Sequence, residues 1–185
     1  MQKLSQVFDG WDGYQTSLLR AVTSLTTEHL AIRAGHRMRS TGELIRHIAL
    51  GRITWLSRIE PVGAEQLIAG VPQWFTDADG SRHVAEGALP CDDPQVLIDW
   101  LDAGWNSISS SLRAWTVDDL DRTFPHRFRG IDYLISRQWV LWRILSHDIH
   151  HGGQLALLLA MQDVPAFELR ALGGHITEPP LLRPR

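Results

Sequence analysis

Four stretches of this sequence carry apolar residues at steps of three and four, the spacing that places side chains on one face of an α-helix. The first stretch predicts a helix over residues 2–25, with an apolar face formed by Leu4, Val7, Phe8, Trp11, Tyr14, Leu18, Val22 and Leu25. An amphipathic helix buries its apolar face against another element. Four such helices therefore predict an all-α fold, a four-helix bundle of antiparallel type.

The second and third helices have recognisable start signals. Ser40 and Glu43 form a Ser-x-x-Glu capping box before the second helix, which should end before Pro61. Asp93 followed by Pro94 is typical of an N-cap with proline at the first helical position, and it begins the third helix. These signals place one helix on each side of a long connection.

That connection, residues 61–92, loses the helical period. It is rich in glycine and proline and too long for a tight bundle turn, which indicates a long crossover between helices 2 and 3 that covers part of the bundle. Residues 121–135 mix aromatics with a proline and a glycine, a composition compatible with a short hairpin. Ser136 would then cap a fourth helix that runs to about Gln162.

Length and composition favour a single domain. The chain has 185 residues, of which 44% are hydrophobic, enough for one sizeable core. We assign residues 1–165 to the bundle and residues 166–185, rich in glycine and proline, to an irregular tail. A net charge of -3 without a basic stretch argues against nucleic acid as a partner. The lack of a long apolar run or a signal peptide argues against a membrane and for the cytoplasm.

Two histidines occupy core-facing positions of the fourth helix. His147 and His151 are four residues apart and therefore lie one above the other, on the stripe that holds Ile144 and Leu155. Burying two imidazoles without partners would cost about 1–3 kcal/mol each, and two cationic rings would repel one another. A shared divalent cation removes both costs.

The second helix carries a third inward histidine, His47, between Leu44 and Ile48. Bundle metal sites are built from ligands on facing helices, and three neutral ligands leave positions open for water or substrate. We therefore predict that His47, His147 and His151 bind a divalent metal ion. The remaining histidines, apart from His150, carry no comparable signal: His29, His36, His83, His126 and His175.

These features resemble the DinB-like (DinB/YfiT) superfamily of metal-dependent proteins, which includes relatives of maleylpyruvate isomerase and of thiol transferases. The resemblance rests on the segment HDIHHGGQLALLL, on the inward His47 about a hundred residues earlier, and on the length, and it covers residues 4–162. It implies an up-down-down-up arrangement of the four helices. It also implies a divalent metal, zinc or nickel, on the same three histidines.

The resemblance further implies that the metal activates a low-molecular-weight thiol such as bacillithiol or mycothiol. The leading hypothesis is a metal-dependent transferase that adds a small thiol to an electrophile, with both as partners. The single cysteine of the chain, Cys91, lies in a Pro-Cys-Asp-Asp turn, where two adjacent acids disfavour a thiolate. The thiol is therefore expected to arrive as a substrate.

Two other functions remain open. His147, Asp148 and His151 read as His-Asp-x-x-His, one methylene shorter than the zincin motif, with Asp148 as general base and Glu168 as a downstream ligand of a metal-dependent hydrolase. Alternatively, the ion only stabilises the bundle of a non-catalytic, stress-related protein. In the transferase hypothesis, Asp148 supports the metal ligands from behind or lies on the surface, and His150 supports the ligands, contacts the substrate or lies on the surface.

The fourth helix also carries two tryptophans, Trp139 and Trp142, three residues apart. Both precede His147 by one or two turns, and both cannot face the core. One of them is expected to face a partner, which makes a homodimer our hypothesis for the assembly.

Overall fold

The computed structural model describes residues 3–164 of the chain. The described helices are α1 Leu4–Val7, α2 Asp9–Thr23, α3 Thr27–Ala31, α4 Thr41–Leu56, α5 Ala64–Ala69, α6 Pro94–Ala114 and α7 Arg137–Ala160. The described strands are β1 Trp74–Thr76, β2 Arg82–Val84, β3 Thr123–Phe128 and β4 Ile131–Ser136. Short 3₁₀ turns cover Glu86–Ala88 and Asp118–Asp121.

The four long helices α2, α4, α6 and α7 enclose the core, and α4 packs against both α6 and α7. Each of the four contributes fully buried aliphatic side chains, among them Leu18, Ile45, Leu101 and Ile144. Burial of these side chains, worth about 1.5–3 kcal/mol each, is the main stabilising contribution of the amphipathic faces. The packing of these apolar faces therefore holds α4 and α7 side by side.

The prediction of an all-α, up-down-down-up four-helix bundle is wrong, because the chain also forms two antiparallel hairpins, β1–β2 and β3–β4. The first hairpin, which pairs Phe75 with His83, lies in the connection predicted to be a long crossover without a helical period. That connection also contains α5 and a 3₁₀ turn. The strands of this hairpin have three residues each and bury little, so they leave no alternating pattern in the sequence.

The second hairpin, β3–β4, confirms the prediction that residues 121–135 are compatible with a short hairpin. β3 ends at Phe128 and β4 begins at its partner Ile131, so only two residues form the turn. Arg129 and Gly130 both have positive φ, 51° and 75°, as a type I′ turn requires. This turn matches the right-handed twist of the strands and fixes their register.

The predicted helix starts are confirmed at three positions. Ser40 and Glu43 form the capping box, in which the Glu43 amide donates to Ser40 Oγ and the Ser40 amide donates to Glu43 Oε2. Asp93 caps α6, and Ser136 caps α7 through the Trp139 amide at 3.1 Å. Each cap satisfies amide groups that the first helical turn leaves without a partner.

The first predicted helix, residues 2–25, differs from the structure in two ways. It is interrupted at Phe8, whose φ of -106° and ψ of 21° separate α1 from α2. A further short helix, α3, follows it behind a capping box at Thr26. Five residues are too few to show a helical period in the sequence. The predicted tail, residues 166–185, lies outside the described residues, and none of the described helices is long and apolar enough to span a membrane.

Candidate metal centre

His47, His147 and His151 lie together between α4 and α7. Each offers one ring nitrogen, and these three atoms lie within 4.8 Å of one another. The Nε2 atoms of His47 and His147 are 3.2 Å apart, and the ring centroids of His147 and His151 are 4.4 Å apart. The structure therefore brings together the three side chains that the sequence analysis selected.

The backbone of α4 makes this approach possible. Gly51, one turn after His47, faces the imidazole of His147, and a Cβ added at residue 51 would lie 2.5 Å from Cε1 of that ring. On α7, the four-residue spacing stacks His147 and His151 on one face. The glycine thus leaves room for the ring that joins the two helices.

Hydrogen bonds on the outer side orient two of the rings. His47 Nδ1 is 2.7 Å from Glu86 Oε1, and His151 Nδ1 is 2.8 Å from Gln154 Oε1. Because a carboxylate or amide oxygen only accepts, both Nδ1 atoms carry the proton and donate. In the neutral ring Nε2 then carries the lone pair, the arrangement that metal-ligating histidines use.

Glu86 is held in place by two partners. Its Oε1 atom also accepts a hydrogen bond from Arg39 Nη2 at 2.9 Å. The hydrogen bond from His47, followed by the charge of Arg39, lowers the pKa of Glu86 to about 2. The carboxylate is therefore ionised at neutral pH and fixes the His47 tautomer.

Two histidines of the triad, His147 and His151, are neutral at physiological pH. Burial, and then the neighbouring rings of His151 and His47, lower the pKa of His147 to about 3. Burial also lowers the pKa of His151. Neutral imidazoles are the form that binds metal ions, so no proton has to leave these two rings when an ion binds.

The donor set fits a divalent transition-metal ion. Imidazole nitrogen suits zinc, nickel, copper and iron, and three such ligands leave positions open. Two nitrogens at about 2.0–2.1 Å from a tetrahedral zinc ion are about 3.3 Å apart. The 3.2 Å between the Nε2 atoms of His47 and His147 agrees with this spacing.

A large cavity opens beside the triad, with a volume of about 1040 Å³. All three histidines line it, together with aromatic side chains from α4, α7 and both hairpins, including Trp55, Trp139 and Phe128. The two hairpins therefore form walls of the candidate site. A cavity with mostly apolar walls and a few converging polar groups is typical of a small-molecule site.

Asp148 does not face this cavity. Its side chain is fully buried, at 0% exposure, and accepts a hydrogen bond from Arg52 Nε at 2.8 Å, while Arg52 is equally buried. Burial raises the pKa of the Asp148 carboxyl, and the adjacent guanidinium opposes that rise. Asp148 is thus a core residue that joins α7 to α4 rather than a group available to a substrate.

His150 lies beside the triad, with its ring centroid 4.8 Å from that of His151. It is exposed, and its Nε2 atom accepts a hydrogen bond from Gln154 Nε2 at 3.2 Å. The other end of the same amide orients His151. His150 therefore lies next to a ligand candidate, whereas Glu168 and His175 lie outside the described residues.

The sequence analysis missed several residues that line or support the site. Glu86 lies 39 residues from His47. It belongs to the connection between α4 and α6, whose sequence has no helical period. His83 and His126, which carried no sequence signal, line the cavity because their hairpins fold over α4 and α7. Their position depends on tertiary packing, so no local pattern could have identified them.

The comparison with known proteins agrees with this fold. A family model of the DinB superfamily matches residues 11–155. The crystal structure of a DinB-like protein from Bacillus cereus ATCC 10987 is similar, with a TM-score of 0.65, 17% identity and coverage of 89% of this chain and 96% of that chain.

A second DinB-like protein, from Bacillus subtilis, has a TM-score of 0.58 and 12% identity, with coverage of 86% of this chain and 94% of that chain. No curated protein matches the chain. At these identities the solved structures show a shared fold, whereas the family model covers most of the sequence. This chain belongs to the DinB superfamily.

Proposed function

We propose that this protein is a metal-dependent transferase that adds a low-molecular-weight thiol, of the bacillithiol or mycothiol type, to an electrophile. His47, His147 and His151 would hold the ion, zinc or nickel. The observation that carries the proposal is the convergence of these three imidazoles on the wall of a cavity of about 1040 Å³. A metal that only stabilised the bundle would not need a cavity of that size beside it.

When bound, such an ion supplies Lewis acidity, which polarises a carbonyl or lowers the pKa of a thiol. The protein's own residues orient the histidines and reduce the access of water. Glu86 and Gln154 keep the protons of His47 and His151 on Nδ1, away from the cavity. Trp55 and Trp139, whose ring centroids are 5.3 Å apart, form an apolar wall that reduces the access of water.

The thiol has to come from outside the chain. Cys91 is the single cysteine of the sequence, and it is not among the residues that line the cavity. Its backbone carbonyl instead packs against Gly42 at the start of α4. This position supports the proposal that the sulfur nucleophile is a substrate rather than a side chain.

His126 is a candidate acceptor for the thiol proton. It lines the cavity and packs against Trp55, with ring centroids 5.5 Å apart. Burial and the nearby charge of Arg58 lower the pKa of His126, so its ring is neutral at pH 7. A neutral imidazole within the cavity is able to take up a proton when the carbon–sulfur bond forms.

The hydrolase alternative is disfavoured by the position of Asp148. A general base has to reach the group that it deprotonates, and Asp148 is buried against Arg52 rather than exposed to the cavity. The His-Asp-x-x-His pattern is thus better explained by two cavity-facing histidines and one core carboxylate.

Metal content and thiol transfer test the proposal together. Protein purified without a histidine tag should contain about one equivalent of metal, and His47→Ala should lose it as severely as His147→Ala. His36→Ala, an exposed histidine away from the cavity, is the matched control. Full metal retention in His47→Ala would show that the three residues do not act as one site.

The activity assay uses monochlorobimane and a panel of small thiols. The carbon–sulfur bond forms while the carbon–chlorine bond breaks, releasing chloride and the thiol proton. We expect turnover that disappears on chelation and in both histidine variants, whereas peptide cleavage would support a hydrolase. A large drop in melting temperature on chelation, with no turnover of any thiol, would support a structural ion.

We also propose that the protein is a homodimer. Trp142 on α7 is 58% exposed and borders an apolar groove with Val7 and Ile149, which are exposed as well. Light scattering should give twice the monomer mass, and Trp142→Glu should reduce it. A monomeric mass of the unaltered chain contradicts this assembly.

A further inference from the structure

Two arginines flank one tryptophan inside the cavity. The guanidinium carbon of Arg58, at the end of α4, lies 4.3 Å from the centroid of the Trp55 ring. That of Arg143, on α7, lies 5.6 Å from the same ring. Both arginines and the tryptophan line the cavity that contains the histidine triad. Stacking on an indole orients a guanidinium while leaving its N–H groups free to donate.

Neither arginine has an acidic partner within residues 3–164. Arg58 donates to two backbone carbonyls, those of Thr54 at 3.2 Å and Arg82 at 2.8 Å. In the same described part of the chain, the Arg143 guanidinium lies over the Trp55 ring. Carbonyl groups fix the Arg58 side chain without neutralising it.

The acidic side chains that line the cavity are engaged elsewhere. Asp77 is 3.0 Å from His83 Nε2, and Glu86 contacts His47 and Arg39. Burial lowers the pKa of Arg58 to about 10, which still leaves it charged at neutral pH. Neither guanidinium is therefore paired with one of these carboxylates, and a bound metal ion would add positive charge to the cavity.

Arg143 lies near the triad, and Arg58 lines the same cavity. Arg143 precedes His147 by four residues on α7, so the two side chains point from the same face of the helix. The charge of Arg143 is one of the causes that lower the pKa of His147. An anion bound by the arginines would therefore occupy the same cavity as a group at the three histidines.

We infer that Arg58 and Arg143 form a carboxylate-binding subsite, so that one of the two substrates carries a carboxylate next to an apolar body. The chemical role assigned to that substrate rests on the proposed function, whereas the subsite itself does not. Guanidinium groups bind carboxylates through paired N–H donors, and Trp55 and Trp139 offer an apolar surface for the rest of the molecule. The carboxylate can belong to the thiol or to the electrophile.

Two probes represent these sources. N-acetyl-S-methylcysteine resembles a carboxylated thiol and cannot react, and 4-nitrobenzoate resembles a carboxylated electrophile. Each is compared with its neutral amide by isothermal titration calorimetry, using the full chain both as purified and after removal of metal with EDTA. We expect at least one carboxylate to bind about tenfold or more tightly than its amide, with an affinity that falls as salt rises.

Three variants locate the subsite. Arg143→Gln, at an exposed position, and Arg58→Gln should each weaken the carboxylate about tenfold or more and leave the amide unchanged. Arg58→Lys keeps the charge and should lose less. Arg113→Gln, an exposed arginine on α6 away from the cavity, is the matched control and should bind like the unaltered chain.

The outcomes separate this inference from the proposed function. The probe that loses more affinity in Arg143→Gln identifies the source of the carboxylate. Equal affinity for carboxylates and amides, or unchanged carboxylate binding in both glutamine variants, overturns the subsite. If the metal-free protein binds the carboxylate but no thiol is ever transferred, the subsite stands and the proposed function fails.

Discussion

Gly51 packs directly against the imidazole of His147, with no room for a side chain between them. A Cβ at residue 51 would lie 2.5 Å from Cε1 and 3.1 Å from Nδ1 of that ring, closer than carbon atoms approach one another without displacement. The obstacle is the end of a side chain rather than backbone. The ring would therefore move before the helices did.

We predict that Gly51→Ala weakens metal binding without unfolding the protein. Rotation of the His147 ring removes one of three ligands from its position, and a misplaced ligand should lower the affinity for zinc by about 10-fold to 100-fold. The higher helix propensity of alanine, about 1 kcal/mol in a helix interior, offsets part of the packing cost. Competition with a chelating dye measures the affinity, and thermal unfolding of the metal-free protein measures the stability.

Gly153→Ala provides the control for this substitution. Residue 153 is also helical, but nothing lies within 4 Å of a Cβ added there. The variant should bind zinc as the unaltered protein does. Equal zinc affinity in Gly51→Ala would show that His147 is not held in place by this contact.

A second prediction concerns Glu86. Glu86→Ala removes the acceptor that fixes the proton on His47 Nδ1, and loss of such a partner lowers metal affinity by about 10-fold to 100-fold. Glu86→Gln should lose less, because its amide oxygen still accepts that hydrogen bond. The same chelator competition measures both variants.

The comparison with an exposed acid makes that result specific. Glu65→Ala, on α5, removes one negative charge away from the cavity and should leave zinc affinity unchanged. An equal loss in Glu65→Ala and Glu86→Ala would indicate a general effect of net charge instead of a hydrogen bond to His47.

The parts of the molecule that sequence reasoning located are those that local geometry determines. Ser40 with Glu43 caps α4 because the two residues satisfy backbone groups within one turn. His147 and His151 share a helix face because of their spacing, and His47 could be paired with them only because its neighbours are apolar. Each of these inferences needs no knowledge of the tertiary fold.

The residues that were missed depend on how distant segments pack. The first hairpin buries little, so its strands have no period, yet it brings His83 to the cavity. Glu86 reaches His47 from the same connection. The sequence predicted that this connection covers part of the bundle, but only the fold determines which side chains it delivers.

Asp148 shows the limit of reasoning from adjacency. Its place next to His147 suggested a role around the metal, but one residue is about 100° of rotation on a helix. That rotation directs the carboxylate to Arg52 in the core instead of the cavity. The sequence offered no sign that α4 carries a fully buried arginine at this level.

The third prediction follows from that ion pair. Asp148→Asn keeps the shape of the side chain but leaves the Arg52 guanidinium buried without a counter-charge, so the free energy of unfolding should fall by about 3–5 kcal/mol. Zinc affinity should change little, because the backbone carbonyl of Asp148 remains anchored by the Tyr14 hydroxyl at 2.6 Å. Urea denaturation at pH 7 measures the first quantity and chelator competition the second.

A double variant separates the lost charge from the lost volume. Asp148→Leu combined with Arg52→Met replaces the pair with apolar side chains and should recover most of the stability lost in Asp148→Asn, as buried ion pairs elsewhere do. The hydrolase hypothesis makes the opposite prediction, since a general base could be removed without destabilising the fold. Asp148→Asn with unchanged stability but abolished turnover would return Asp148 to the active site.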